Sequence, residues 1–405
     1  MRLRSSVRGA AAGLLALTLT AGGLTGGIPF ASAAYTTETV YAAEQSEGTA
    51  AAGNPQTVGE TDLSDGFVYA QLSPSAQKVY AEIYQEIRDH RTEFTVHSSD
   101  TEDIKQAISA VLADCPQFFW VDGTASMSGF RALGTWTITM NYIVSPDEID
   151  GIQARIEEKV QEYLKQIPEG ASEYEKVRLA YEYVIGITDY SLASEHNQNI
   201  MSVFLNGSSV CAGYARAFKY LLDRAGVWCG YIEGTISDTG EGHAWNVVRI
   251  DGIYSYVDPS WGDPSYGEDH TDAKQLSIIY DYLCLTEEEM LRARHQPDAG
   301  LQLPSTTDRS NDFYIRNGMY YEGYSESSLS SALWNAVDNA IDIVYLKYSD
   351  YDSYTQAKNA LFPDNDDVTS LLDAPIRQRM EWDNASSMRY YYSCSDELWI
   401  IKIYW

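Results

Sequence analysis

The chain has 405 residues, enough for two or three domains with substantial cores, and 44% of them are hydrophobic. Its formal net charge is −30. A polyanion of this size is repelled by phosphate backbones and anionic lipid heads, which argues against nucleic acid and membrane surfaces as partners.

Taken in order, the first 33 residues have the pattern of a secretory signal peptide. Arg2, Arg4 and Arg8 form a basic start, "AAAGLLALTLTAGGL" a short apolar core, and Ala31 to Ala33 a small-x-small cleavage site. The expectation is a secreted or cell-wall-associated protein with no membrane span after cleavage. Residues 34–72 begin with an Ala-, Thr-, Gly- and Glu-rich stretch that has no period, expected to be a flexible linker. Ser73-Pro74 starts a helix whose buried face carries Val79, Ile83 and Ile87. A second helix is expected over 102–113, then a buried strand at "PQFFWV" and a half-buried one at "TWTITMNYIV". "SPDE" at Ser145 predicts a capping box opening a helix with Ile152, Ile156, Val160 and Leu164 on one face. Residues 73–168 thus form an expected small α+β domain with no evident chemistry.

A second unit, 169–300, begins with the capping box "SEYE" and a helix burying Val177, Tyr181 and Val184. In "NGSSVCAGYARAF", small residues lead to Cys211 at the start of a helix that Gly226 ends. A helix N-terminus favours a thiolate. Three strand-like runs follow: "VWCGYIEGTI", "HAWNVVRI" and "IYSYVDPSW". Asp251-Gly252 predicts a two-residue hairpin turn between the last two. Ile250 then pairs with Ile253 and Trp245 with Asp258, so His243 and Asp258 become diagonal neighbours on one face. A cysteine nucleophile, a histidine base and an aspartate that orients the base are the parts of thiol acyl chemistry. The bland readings are a buried thiol, a satisfied core histidine and an aspartate that merely caps the turn at Pro259.

With those residues in hand, "NGSSVCAGYARAFKYLLDRAG", "GHAWNVVRIDG" and "YVDPSW" resemble the bacterial transglutaminase-like superfamily, whose fold is similar to that of papain-like cysteine proteases. The resemblance covers about a quarter of the chain. It implies an α+β core with Cys211 as nucleophile at a helix N-terminus packed on an antiparallel sheet, His243 as base and Asp258 as orienter. It also implies that Gln198 faces the oxyanion, although "HNQNIM" departs from the family pattern there, and that the thiol chemistry needs no metal or cofactor. The expected partner is a protein or peptide substrate. Hydrolysis, deamidation and glutamine–lysine transfer stay open. The rival reading is a non-catalytic cell-surface binding or scaffold protein that keeps the fold. Tyr214 and Trp245 read as packing, His196 and His270 as surface loop residues, and Glu195 and Asp263 have no evident partner.

Residues 310–405 form an expected aromatic-rich α+β domain: a serine-capped helix at "SESSLSSALWNAV", a buried strand at "IDIVYLKY", and a closing hairpin of "MRYYYSC" and "LWIIKIYW". Five cysteines, Cys115, Cys211, Cys229, Cys284 and Cys394, leave at least one thiol unpaired.

Overall fold

A computed structural model describes residues 26–28, 65–130, 133–264, 278–363, 370–382 and 390–404. The expected signal segment lies outside the described residues except β1 (Gly26–Ile28), which pairs antiparallel with Met127–Ala125. The linker as far as residue 64, and His270, lie outside them as well.

The N-terminal elements are α1 (Pro74–Arg88), β2 (Glu93–His97), α2 (Thr101–Asp114), β3 (Val121–Phe130), β4 (Thr135–Tyr142) and α3 (Ile149–Leu164). Their sheet has the order β1-β3-β4-β2. Ser73 Oγ accepts the Ala76 N–H and caps α1. Two expectations fail here. "PQFFW" is not a strand: Phe118 and Val121 N–H donate to the Cys115 and Phe118 carbonyls, making consecutive turns that still bury Phe118, Phe119 and Trp120. Aromatic runs signal burial, and burial does not require extended backbone. "SPDE" is not a capping box either. Ser145 Oγ bonds Asp147 and Glu148 side chains, and α3 begins only at Ile149 with no side-chain cap.

The central elements are α4 (Glu173–Ile187), β5 (Asp189–Tyr190), β6 (Ser208–Ser209), α5 (Cys211–Ala225), β7 (Cys229–Ile236), β8 (Gly242–Ile250), β9 (Ile253–Val257), α6 (Pro259–Gly262), β10 (Leu283–Leu285), α7 (Glu287–Arg292) and β11 (His295–Pro297). Five antiparallel strands lie in the order β10-β9-β8-β7-β11. Ser172 and Glu175 form the predicted capping box at α4. The apolar side of α5, with Phe218, Leu221 and Leu222, enters a continuous core that runs from Phe67 to Ile400. One core therefore serves the N-terminal and central sheets together.

The C-terminal elements are α8 (Phe313–Arg316), β12 (Tyr320–Tyr321), α9 (Glu326–Asp338), β13 (Ile343–Tyr348), α10 (Tyr351–Leu361), α11 (Asp373–Trp382), β14 (Tyr391–Ser395) and β15 (Ile400–Tyr404). Their sheet, β12-β13-β15-β14, covers a second core that includes Leu333, Leu346, Tyr354 and Ile401. Ser325 caps α9 as expected. Among the described residues no helix is long and apolar enough to cross a membrane. All five cysteines are free thiols.

Candidate active site

The hairpin forms as its turn residues dictate. Asp251 and Gly252 both take positive φ, 50° and 84°, which a primed two-residue turn requires. Ile250 pairs with Ile253 and the register runs back to Asn246 opposite Val257. One step further, β9 gives way to α6, and Asp258 caps that helix. Its Oδ1 accepts the Ser260 and Trp261 N–H groups at 2.9 and 3.1 Å and the Ser260 hydroxyl at 2.7 Å. Its Oδ2 accepts from His243 Nε2 at 2.6 Å. Capping and pairing with His243 were alternative readings of this aspartate. The two oxygens do both.

His243 Nε2 is taken by Asp258, which leaves Nδ1 for the neighbouring Cys211 sulfur. Burial on its own would push the imidazolium down. The Asp258 carboxylate and the Cys211 sulfur outweigh it and hold His243 up at about 10. Burial would likewise raise Asp258, but the two imidazoles that donate to it hold it well below the usual carboxylate range. Cys211, His243 and Asp258 are all buried.

Cys211 opens α5 directly behind β6, whose Ser209 pairs with Tyr190 in β5. That pairing sets the Tyr190 hydroxyl against Cys211. Burial and the neighbouring Cys211 push this hydroxyl up. Val210 at the helix cap supplies no side-chain acceptor. Gln198 is placed through its main chain, its carbonyl accepting from Arg216 Nη1 at 2.8 Å. Tyr214 and Trp245 are buried, in keeping with packing roles. His196 is half-buried in its loop beside Glu195, 3.7 Å away. Asp263, for which the sequence offered no partner, accepts the Tyr214 hydroxyl at 2.6 Å.

Sequence reasoning missed His295. It is fully buried on β11, and its Nε2 lies 2.9 Å from the same Asp258 Oδ2 that accepts from His243. Its Nδ1 is 3.1 Å from the Ala293 carbonyl. Nothing local in "ARHQP" marks this histidine; only the pairing of β11 with β7, across sixty residues of sequence, brings it in. His243, Asp258 and His295 have the donor types of a divalent metal seat, with ligand atoms within 4.8 Å of one another. Both histidines hydrogen-bond Asp258 Oδ2, which links the three side chains directly.

The sequence model of the Transglutaminase-like superfamily matches residues 161–259. The kyphoscoliosis peptidases of Homo sapiens and Mus musculus are each 26% identical, over 184 and 183 residues, covering 41% of this chain and 27% of theirs. The chain thus spans about a quarter of the length of the curated relatives it matches. Among solved structures, one described as a TGase is 14% identical over 38% of this chain and 47% of its own, with a TM-score of 0.26. With a helix-borne cysteine, a hairpin histidine and a capping aspartate inside the matched span, residues 161–259 are a domain of the transglutaminase-like superfamily.

Proposed function

We propose that this protein is an exported cysteine enzyme that transfers the acyl group of a protein or peptide amide through a thioester on Cys211. The observation that carries the reading is the buried His243–Asp258 hydrogen bond with Cys211 beside the imidazole. In the first half-reaction Cys211 Sγ, its proton already held on His243 Nδ1, bonds to the amide carbonyl carbon. The C–N bond then breaks and His243 returns that proton to the departing amine. In the second half-reaction water or a lysine amine attacks the thioester and gives a proton to His243. The C–S bond breaks and the proton stays on His243. Asp258 keeps the imidazole in one tautomer and balances the imidazolium. The Cys211 N–H at the start of α5 is the donor for the developing oxyanion. Water is the acceptor to test first, because the curated relatives carry the name peptidase.

Incubation of the full chain with a peptide library and a labelled amine, read by mass, separates cleavage, deamidation and amine incorporation. Cys211→Ala and His243→Ala abolish turnover, and Asp258→Asn lowers it by about 10²–10⁴. Iodoacetamide at pH 6 labels Cys211 faster than Cys115, which burial pushes up to about 12, and the difference disappears in His243→Ala. Equal labelling of the two thiols, with no turnover, would leave a binding module in place of an enzyme. Export is tested on protein recovered outside the producing cell, whose N-terminal residue is expected to be Ala34.

A further inference from the structure

The carboxylate that holds His243 holds a second imidazole. His295 opens β11, beyond the span matched to the family, and reaches the same oxygen of Asp258. We infer that His295 is a positioning residue for the acyl chemistry, which sets the basicity of His243 by sharing Asp258 Oδ2 with it. The inference rests on the function proposed above.

The sheet makes the arrangement. His243 pairs with Gly234 on β7, and Gly234 pairs with Pro297 on β11. Paired residues share a face, and His295 is two residues from Pro297, so both histidines point to one side. Gly234 between them carries no side chain. A Cβ there would lie 2.2 Å from the Gln296 carbonyl and 2.7 Å from the Trp245 ring, so the close approach of β11 to β7 beside Trp245 needs glycine.

Both nitrogens of His295 face acceptors, the Asp258 carboxylate and the Ala293 carbonyl. Burial pushes this imidazole down, which favours the neutral ring. A neutral ring has one proton, and an ionised carboxylate is a stronger acceptor than a carbonyl, so the proton sits on Nε2. The ring is therefore a donor to Asp258 and not a second base for Cys211. The rings packed around it are His243, Trp245, Trp261 and Tyr282. Of these and Asp258, only His243 and Asp258 carry charge at neutral pH, since burial holds the Tyr282 hydroxyl protonated. Each donor to a carboxylate lowers its proton affinity. A second donor on Oδ2 thus weakens the grip of Asp258 on the His243 proton. A base that must later release that proton to a leaving amine gains from such a limit.

The test follows the ring nitrogens of His243 by NMR as pH is varied, in the full chain carrying Cys211→Ala so that the thiolate does not intervene. His295→Phe is expected to raise the His243 midpoint by about one pH unit. His295→Gln, whose amide N–H can reach the same oxygen, keeps it within a few tenths. With Cys211 restored, His295→Phe displaces the kcat pH profile by the same amount and leaves KM unchanged. An unchanged His243 midpoint in His295→Phe would overturn the inference, whatever the loss of stability. Should that variant not fold, His295→Met takes its place. A His295 ring protonated only on Nδ1 in the parent would overturn it without any variant, because such a ring donates nothing to Asp258. The two readings fail separately. Uniform thiol labelling sinks the enzyme and leaves the midpoint shift standing, whereas an unmoved midpoint beside a reactive Cys211 sinks the role of His295 alone.

Discussion

Asp258 receives five hydrogen bonds: two main-chain N–H groups, one hydroxyl and two imidazoles. Removing the acceptor strands all five donors in a buried site, so Asp258→Ala is expected to cost about 3–5 kcal/mol in urea unfolding. The raised basicity of His243 has its own signature. A group whose pKa is higher in the fold than in the unfolded chain stabilises the fold fully below the unfolded value, about 6.5 for histidine, and loses that contribution as pH rises through the folded value. Since His243 is held at about 10, the stability gap between the parent and His243→Gln should be level below about pH 6.5 and shrink steadily toward pH 10. A gap that widens over that window would contradict the imidazolium–carboxylate pair. At this scale much was legible in the sequence. Turn parity at Asp251-Gly252 put His243 and Asp258 on one face, and a helix start behind small residues marked Cys211. Ser260, whose hydroxyl completes the Oδ1 set, was not, because a serine after Asp-Pro reads as an ordinary first-turn residue.

Between elements, legibility depended on sequence distance. The β8–β9 hairpin is local and was readable. The β7–β11 pairing is not, and with it went His295. Gly234 carries the consequence for stability. Gly234→Ala forces β11 away from β7 or Trp245 out of place, for an expected cost of about 1–3 kcal/mol, and it should shift the His243 midpoint in the same direction as His295→Phe. The parallel β5–β6 pair has a different task. It sets the Tyr190 hydroxyl against Cys211. Tyr190→Phe removes one hydrogen bond of about 1 kcal/mol, and Cys211 labelling is expected to accelerate roughly fivefold. Labelling unchanged by that substitution would show that the ring, rather than the hydroxyl, covers the thiol.

Across the whole molecule, buried ion pairs tie the C-terminal sheet to the site-bearing one. Lys347 on β13 reaches Asp312 at 2.5 Å and Glu289 on α7 at 2.9 Å, and Lys402 on β15 reaches Asp281 at 2.6 Å. Lys347→Met would leave Asp312 and Glu289 buried without the lysine between them, Arg309 remaining 3.8 Å from Glu289, and the expected loss is about 3–5 kcal/mol by thermal or urea unfolding. These links were invisible in the sequence, where Lys347 and Lys402 look like surface residues of strands. Their burial follows from how two sheets pack, which composition does not encode.

The same C-terminal hairpin grips the segment that leads into His295. Arg292 Nε donates to the Glu397 carbonyl and its guanidinium lies 3.7 Å from the Trp399 ring centroid, while Arg294 pairs with the Glu397 carboxylate. During synthesis, β11 is made about 100 residues before Glu397. At 5–20 residues per second that is an interval of about 5 to 20 s. Throughout it the segment leading into His295 lacks the contacts that Glu397 and Trp399 later make with Arg292 and Arg294. The nascent chain thus acquires Cys211, His243 and Asp258 well before it acquires the element that fixes their neighbour, and the β14–β15 hairpin sets the moment at which that neighbour is clamped.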